Sequence, residues 1–147
     1  MTAQELLQEL GNVLGIKPQC GEAGTCRIFF DDDAVDFEAV DETFFLIAEV
    51  GSVPAGNREA VYARLLTANL FGAQTGGATL GLNEDKGIVV LHRALPLPSD
   101  YAPFEVALER FVKSLRYWKE WFALAASAPA APSNEGAFVP GQGMMRV

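Results

Sequence analysis

The gaps between apolar runs in the first third of the chain leave little choice of fold. Residues 26–30 are apolar and β-prone, and three acids, Asp31, Asp32 and Asp33, follow at once. Residues 35–40 then mostly alternate, with Val35, Phe37 and Ala39 on one face and Asp36 and Glu38 on the other. After Asp41 and Glu42, residues 43–50 are apolar on both faces. A parallel crossover needs about a dozen residues or more, so runs this close together predict an antiparallel meander.

Helical signals flank the meander. Thr2 and Glu5 have the spacing of a capping box. Leu6, Leu7, Leu10, Val13 and Leu14 then recur at helical spacing before Gly15, which predicts a helix over about 3–14. Residues 17–25, with Pro18, Gly21 and Gly24, read as a loop. Asn57 is expected to cap a second helix over about 58–71, with Gly72 just past its end. Its apolar positions form two rows, Val61, Leu65 and Ala68, then Tyr62, Leu66, Asn69 and Leu70. That is wider than one buried face requires and implies contacts on two sides. Two more strands follow, over about 78–82 and 88–95, and Pro96 and Pro98 break the chain. A third helix runs to about 126 on the stripe Phe104, Ala107, Leu108, Phe111, Leu115, Trp118 and Phe122. The order is α-β-β-β-α-β-β-α, an α+β domain over 1–126 whose antiparallel sheet is flanked by three helices. Residues 127–147 hold three prolines and three glycines and are expected to form a disordered tail.

Charge and chemistry exclude most functions. Nineteen acids against eleven bases give a net charge of -8, which opposes binding to nucleic acid or an anionic membrane. No run approaches the roughly 18–20 apolar residues needed to span a bilayer. The first residues lack the pattern of a signal peptide. Cys20 and Cys26, the only cysteines, are not a disulfide framework and are expected to be free, as in a reducing cytoplasm. With His92 as the single histidine, a four-ligand zinc site fails. The glycine-rich stretch 72–81 has no Lys-Ser or Lys-Thr after its second glycine and follows a helix, so it reads as a turn rather than a phosphate loop. The Asp31–Asp33 run lacks the spacing of a calcium loop and reads as a solvated turn. His92 has no partner motif and reads as structural. Arg110, Lys113, Arg116 and Lys119, spaced three apart, read as a solvated helix face with local ion pairs rather than an RNA contact. No catalytic residue, metal or cofactor is assigned.

What remains is apolar surface. Phe29 points away from Ile28 and Phe30, while Phe45 and Ile47 oppose Phe44, Leu46 and Ala48. Helices on one side of a small sheet cannot bury both sets, so a second layer covers the rest or the rest is binding surface.

At this point the residues resemble a known family. The segment 65–71, Leu-Leu-Thr-Ala-Asn-Leu-Phe, is similar to the "LL-x-ANL" helix end of class I type III secretion chaperones of the CesT/SycE (Tir chaperone) type. The likeness continues through 76–82 and Leu95-Pro96-Leu97, and includes the opening Leu6-Leu7-x-x-Leu10-Gly11 and the segment 111–118. It covers about residues 4–125 and leaves the tail without a counterpart.

The resemblance implies a cytoplasmic, non-enzymatic homodimer. Such proteins bind the N-terminal segment of a secreted effector, keep it non-globular and direct it to the secretion apparatus. By position it places the dimer interface at Tyr62, Leu66, Asn69, Leu70, Thr79 and Leu80. Candidate effector-binding patches are the helix-1 leucines Leu6, Leu7 and Leu10, and the second-face residues Phe29, Phe45 and Ile47. Strand addition to a sheet edge is the expected binding mode. Two rivals remain, a same-fold regulatory module with a folded partner and a small enzyme with a carboxylate site.

Overall fold

The computed structural model describes residues 1–127, so the tail expected beyond Ser127 lies outside the described residues. Helix α1 spans Ala3–Leu14 and begins at the expected capping box. Thr2 N–H donates to Glu5 Oε2 at 2.7 Å, and Glu5 N–H donates to Thr2 Oγ1 at 3.2 Å. Gly15 ends the helix in the left-handed region (φ 70°), where its N–H bonds the last turn.

The loop expected at 17–25 contains a short strand, β1 (Gln19–Cys20), paired with β2 (Cys26–Phe30). Cys20 lies directly opposite Cys26 with Cα atoms 4.0 Å apart, and the two form a disulfide. This corrects the free-thiol reading. The intervening residues fold back as a hairpin, and that pairing, invisible to cysteine counting, makes the two side chains cross-strand neighbours.

Strands β3 (Asp33–Val40) and β4 (Thr43–Ser52) complete the meander. Phe30 pairs with Asp33 and Val40 with Thr43, so each loop is two residues long. Asp31 and Asp41 take positive φ there (58° and 52°), which Asp tolerates better than bulky residues do.

Helix α2 spans Arg58–Asn69, two residues shorter than expected. Asn57 sits at its start with φ 60° and makes no side-chain cap, so the predicted cap is also corrected. The chain leaves α2 through a 3₁₀ turn, Leu70–Gly72, with Phe71 at φ 57°. Strands β5 (Thr79–Asn83) and β6 (Ile88–Pro96) and helix α3 (Tyr101–Ser127) follow. The sheet is antiparallel throughout in the order β1-β2-β3-β4-β6-β5, because the crossing through α2 returns β6 to the side of β4. The expected α+β architecture with three helices holds, with one additional strand.

Burial alternates along the long strands, so the helices cover one face. Ile28, Val35, Phe37, Phe44, Leu46, Ala48, Leu80, Val89 and Leu91 line that face. They meet Leu6, Leu7 and Leu10 of α1, Val61, Leu65 and Ala68 of α2, and the α3 stripe from Phe104 to Phe122 in one core. Phe37, Phe44 and Phe104 cluster with ring centroids 5.7–6.4 Å apart. Trp118 is fully buried and ties the segment after α2 to the core, its indole N–H donating to Gln74 O at 3.0 Å. In the same segment Gly76 has φ +62°, and a Cβ there would stand 2.6 Å from Ser114 Oγ. Only glycine lets this loop lie against α3.

Half of the basic row is not a free face. Arg116 Nε lies 3.0 Å from Asp33 Oδ2, Lys119 Nζ lies 2.7 Å from Asp33 Oδ1, and Arg116 Nη2 reaches Asp31 Oδ2 at 2.9 Å. The acidic turn therefore clamps α3 to the β2–β3 hairpin, which corrects the solvated reading for Asp33, whereas Asp31 and Arg116 stay largely in solvent and the ion pairs expected on α3 reach across the fold. Burial pushes the Asp33 carboxyl upward, but hydrogen bonds and charge from Lys119 and Arg116 outweigh it and hold the group below its ordinary range. A lowered carboxylate pKa stabilises the fold above the unfolded value, about 3.9, and the gain is lost as pH falls through the folded value. Asp33→Asn is expected to cost about 1–2 kcal/mol at pH 7, below the range for fully buried pairs because both cations are more than a third exposed. Melting curves from pH 7 to 3 check this: the gap between the two proteins closes in acid, and a pH-independent gap would contradict it.

Candidate functional site

The strand period that buries one face of the sheet turns the alternate residues to the other. Cross-strand pairing aligns them in rows: Arg27, Asp36, Ile47, His92 and Thr79; then Glu38, Phe45 and Ala94. Two shorter rows flank these, Phe29 with Ala34 at one edge and Glu49, Val90 and Gly81 toward the other. Phe29 is 57% exposed, and Phe45 and Ile47 are half-buried. The structure thus brings these three predicted residues to one open face. Acids border them, and Arg27 is held by Asp36 through two hydrogen bonds of 2.7 and 2.9 Å. His92 lies within this face opposite Ile47 and Thr79, rather than in the core.

The helix-1 leucines are placed differently. Leu6, Leu7 and Leu10 are buried, which corrects their assignment to an exposed patch. They are the apolar stripe by which α1 attaches to the sheet, and a stripe serves one partner at a time. Leu7 and Leu10 instead floor two grooves on either side of α1. One, of about 790 Å³, runs between α1 and the β1–β2 hairpin over Leu7, Ile16, Pro18, Cys26 and Phe44. The other, of about 420 Å³, lies between α1 and α3 and is walled by Val13, Leu14, Phe30 and Leu108. Between the grooves runs the outer edge of β2. It is paired with β1 only at Cys26 and Arg27, so Ile28, Phe29 and Phe30 have no described strand beyond them. Val13, Leu14 and Ile16, the exposed apolar residues at the end of α1, rim this region.

At the opposite edge, α2 lies along β5. The Asn69 side chain donates to Leu80 O at 2.9 Å and accepts from Leu80 N–H at 2.8 Å, which occupies the outward backbone groups of that residue. Asn69 is therefore a clamp within the chain, and the Leu80 side chain is core. Neither offers a free side chain at this surface of the chain. Leu66 (71% exposed) and Leu70 (61%) do stand free, with Tyr62 half-buried and Thr79 exposed beside them. Phe71, 95% exposed, is missing from the sequence reading. Helical periodicity places it inside α2, and nothing in that pattern marks the left-handed residue that turns it outward.

Among the described residues, no group of three or more His, Cys, Asp or Glu side chains is placed to hold a metal ion. Among the same residues, no helix is long and apolar enough to cross a membrane.

Phe29→Ser is expected to change stability by no more than about 0.5 kcal/mol, as at an ordinary surface position. Leu10→Ala should cost about 2–5 kcal/mol, as in other cores. Urea titration of both variants checks the assignment, and equal losses would put Phe29 in the core.

A model of the Tir chaperone protein (CesT) family matches residues 5–119. A Chlamydia pneumoniae protein designated CPj0713/CpB0740 is 32% identical over 79 residues, covering 53% of this chain and 60% of that protein's length. The fold is similar to that in the crystal structure of the ExsC–ExsE complex, with a TM-score of 0.67 and 21% identity over 83% of this chain and 96% of the other. It is also similar to that of the Yersinia pestis type III secretion chaperone SycH, solved with a stable fragment of YscM2. There the TM-score is 0.60 and the identity 19%, over 78% of this chain and 97% of the other.

Proposed function

We propose that this chain, which belongs to the Tir chaperone protein (CesT) family, is a type III secretion chaperone that binds the N-terminal segment of a secreted effector and keeps it export-competent. The observation that carries the reading is the part of the β2 edge that β1 leaves unpaired, Ile28 to Phe30, flanked by two apolar grooves and continuous with an open face bearing Phe29, Phe45 and Ile47. An extended segment added to that edge gains main-chain hydrogen bonds, while its alternate side chains reach the grooves and the open face. Capture of a segment that is disordered when free costs ordering entropy, which burial of roughly 1,000–3,000 Å² offsets. Wide apolar surface serves that purpose better than a small concave pocket. The solved complexes of SycH with a YscM2 fragment and of ExsC with ExsE support the same reading, since each holds a protein partner on this fold.

The reading is of a binding protein with no catalytic step, working in the cytoplasm as a homodimer. The cytoplasmic placement rests on the family, since the two cysteines are paired in the structure. For the dimer, the free side chains Leu66 and Leu70 of α2 are the proposed seam, with Tyr62 and Thr79 at its border. Symmetry-related contact between two such faces would remove from water two of the three most exposed leucines among the described residues.

Co-expression with effectors encoded nearby, followed by pull-down and limited proteolysis, tests the function. A bound, otherwise unfolded effector N-terminal fragment that resists protease is the expected result, and Phe45→Ser should weaken its capture at least tenfold. Protection of only a folded effector domain would favour a regulatory module instead. For the seam, Leu66→Asp or Leu70→Asp is expected to give monomer by light scattering, whereas a stable dimer in both would refute this assignment.

A further inference from the structure

The basic row of α3 divides into two halves with different surroundings. Arg116 and Lys119 are neutralised by Asp31 and Asp33. Lys113 and Arg110, one and two turns earlier, make no ion pair with a described residue. Arg93 of β6 joins them. Its Nη1 donates to Gly76 O at 2.9 Å, and its guanidinium packs against Gly77, where a Cβ would stand 3.2 Å from Nη1. The three cations line an open groove of about 750 Å³ between the 72–77 loop and α3, and no carboxylate lines it. Phe71 and Tyr117, both exposed, supply aromatic walls.

Three observations define the occupant. The chain carries a net charge of -8, and from Asp31 to Glu49 it has eight acids and no base. Nucleic acid would therefore meet a repulsive field outside this groove. A phosphate nest needs free backbone N–H groups, but in the loop those of Ala73, Gln74, Thr75, Gly77 and Ala78 all donate to carbonyls of the chain itself. The twenty residues after Ser127 contain one acid, Glu135, and do not supply the counter-charge. What fits is a strand or turn of polypeptide with carboxylates on either side of an apolar residue.

We propose that the groove formed by Arg93, Arg110, Lys113, Phe71 and Tyr117 docks an acidic segment of a partner protein, with carboxylates on the cations and an apolar side chain between the two aromatic rings. The site is separate from the β2 edge and opposite in charge to the open face. It selects a different sequence from the one bound there, and it does not depend on the export reading.

A fluorescein-labelled nine-residue peptide of Glu-Glu-Leu repeats tests this by anisotropy on the full chain, beside its lysine-for-glutamate counterpart. The acidic peptide should bind at least tenfold more tightly than the basic one, and should weaken as salt shortens the Debye length from about 10 Å at 0.1 M. The double variant Arg110→Glu/Lys113→Glu should lose that binding, Tyr117→Ala should weaken it several-fold, and Phe29→Ser should leave it unchanged. All four positions are exposed, so melting curves are expected to stay near wild type. Equal binding of the two peptides, or retention by the double variant, overturns the proposal. So does loss of binding in Phe29→Ser. Tripolyphosphate that binds as tightly as the peptide and displaces it would mark an anion site instead and overturn the peptide reading. Light scattering that shows Arg110 and Lys113 joining copies of the chain to one another would also overturn it.

Discussion

Three helices laid on one face of a six-stranded sheet leave the other face without cover, and the rest of the molecule follows from that imbalance. Helix α3, 27 residues long, spans the sheet and commits its entire apolar stripe to one side. Helices α1 and α2 fill the margins of the same side. Nothing among the described residues forms a second layer, so Phe29, Phe45, Ile47 and Val90 stay at the surface although their residue types are those of a core. In a free monomer this arrangement forgoes burial worth about 25 cal/mol for each Å² left exposed. Under the proposed function that surface is completed by another polypeptide.

The acids play two roles that net charge alone does not separate. Asp36, Glu38 and Glu49 border the open face and keep it hydrated between aromatic residues. Asp33, pointing the other way, is buried and holds Arg116 and Lys119 of α3. The same few residues of sequence thus supply both a solvated rim and a clamp on the core helix. The basic row divides in the same way, one half spent on the clamp and the other facing a groove.

Much of this was legible from periodicity. The capping box at Thr2 and Glu5, the alternation of Val35 and Phe37 against Asp36 and Glu38, and the α3 stripe each report a local repeat, and local repeats survive into the structure because one face of each element is buried. Phe29, Phe45 and Ile47 were legible too, as apolar residues on the wrong parity. Elsewhere a local pattern admits two partners, and spacing does not choose between them. Leu6, Leu7 and Leu10 suit a client groove or a core equally well, and Asn69 and Leu80 suit an interface or an internal clamp. Cys20 and Cys26 gave no sign of the hairpin that joins them, and Asn57 has the right residue type for a cap it does not make.

The sequence by itself determined the elements, their order, the antiparallel meander and the sidedness of the sheet, because these depend on spacing along the chain and on burial of one face per element. Only the tertiary structure decided which apolar residues stay exposed, which edge of the sheet is open, and which cations find carboxylates. Those outcomes depend on contacts between residues far apart in the chain, such as Asp33 with Lys119, Gly76 with Ser114 and Asn69 with Leu80. No periodic pattern encodes such contacts, since each element carries its own repeat whatever lies across from it.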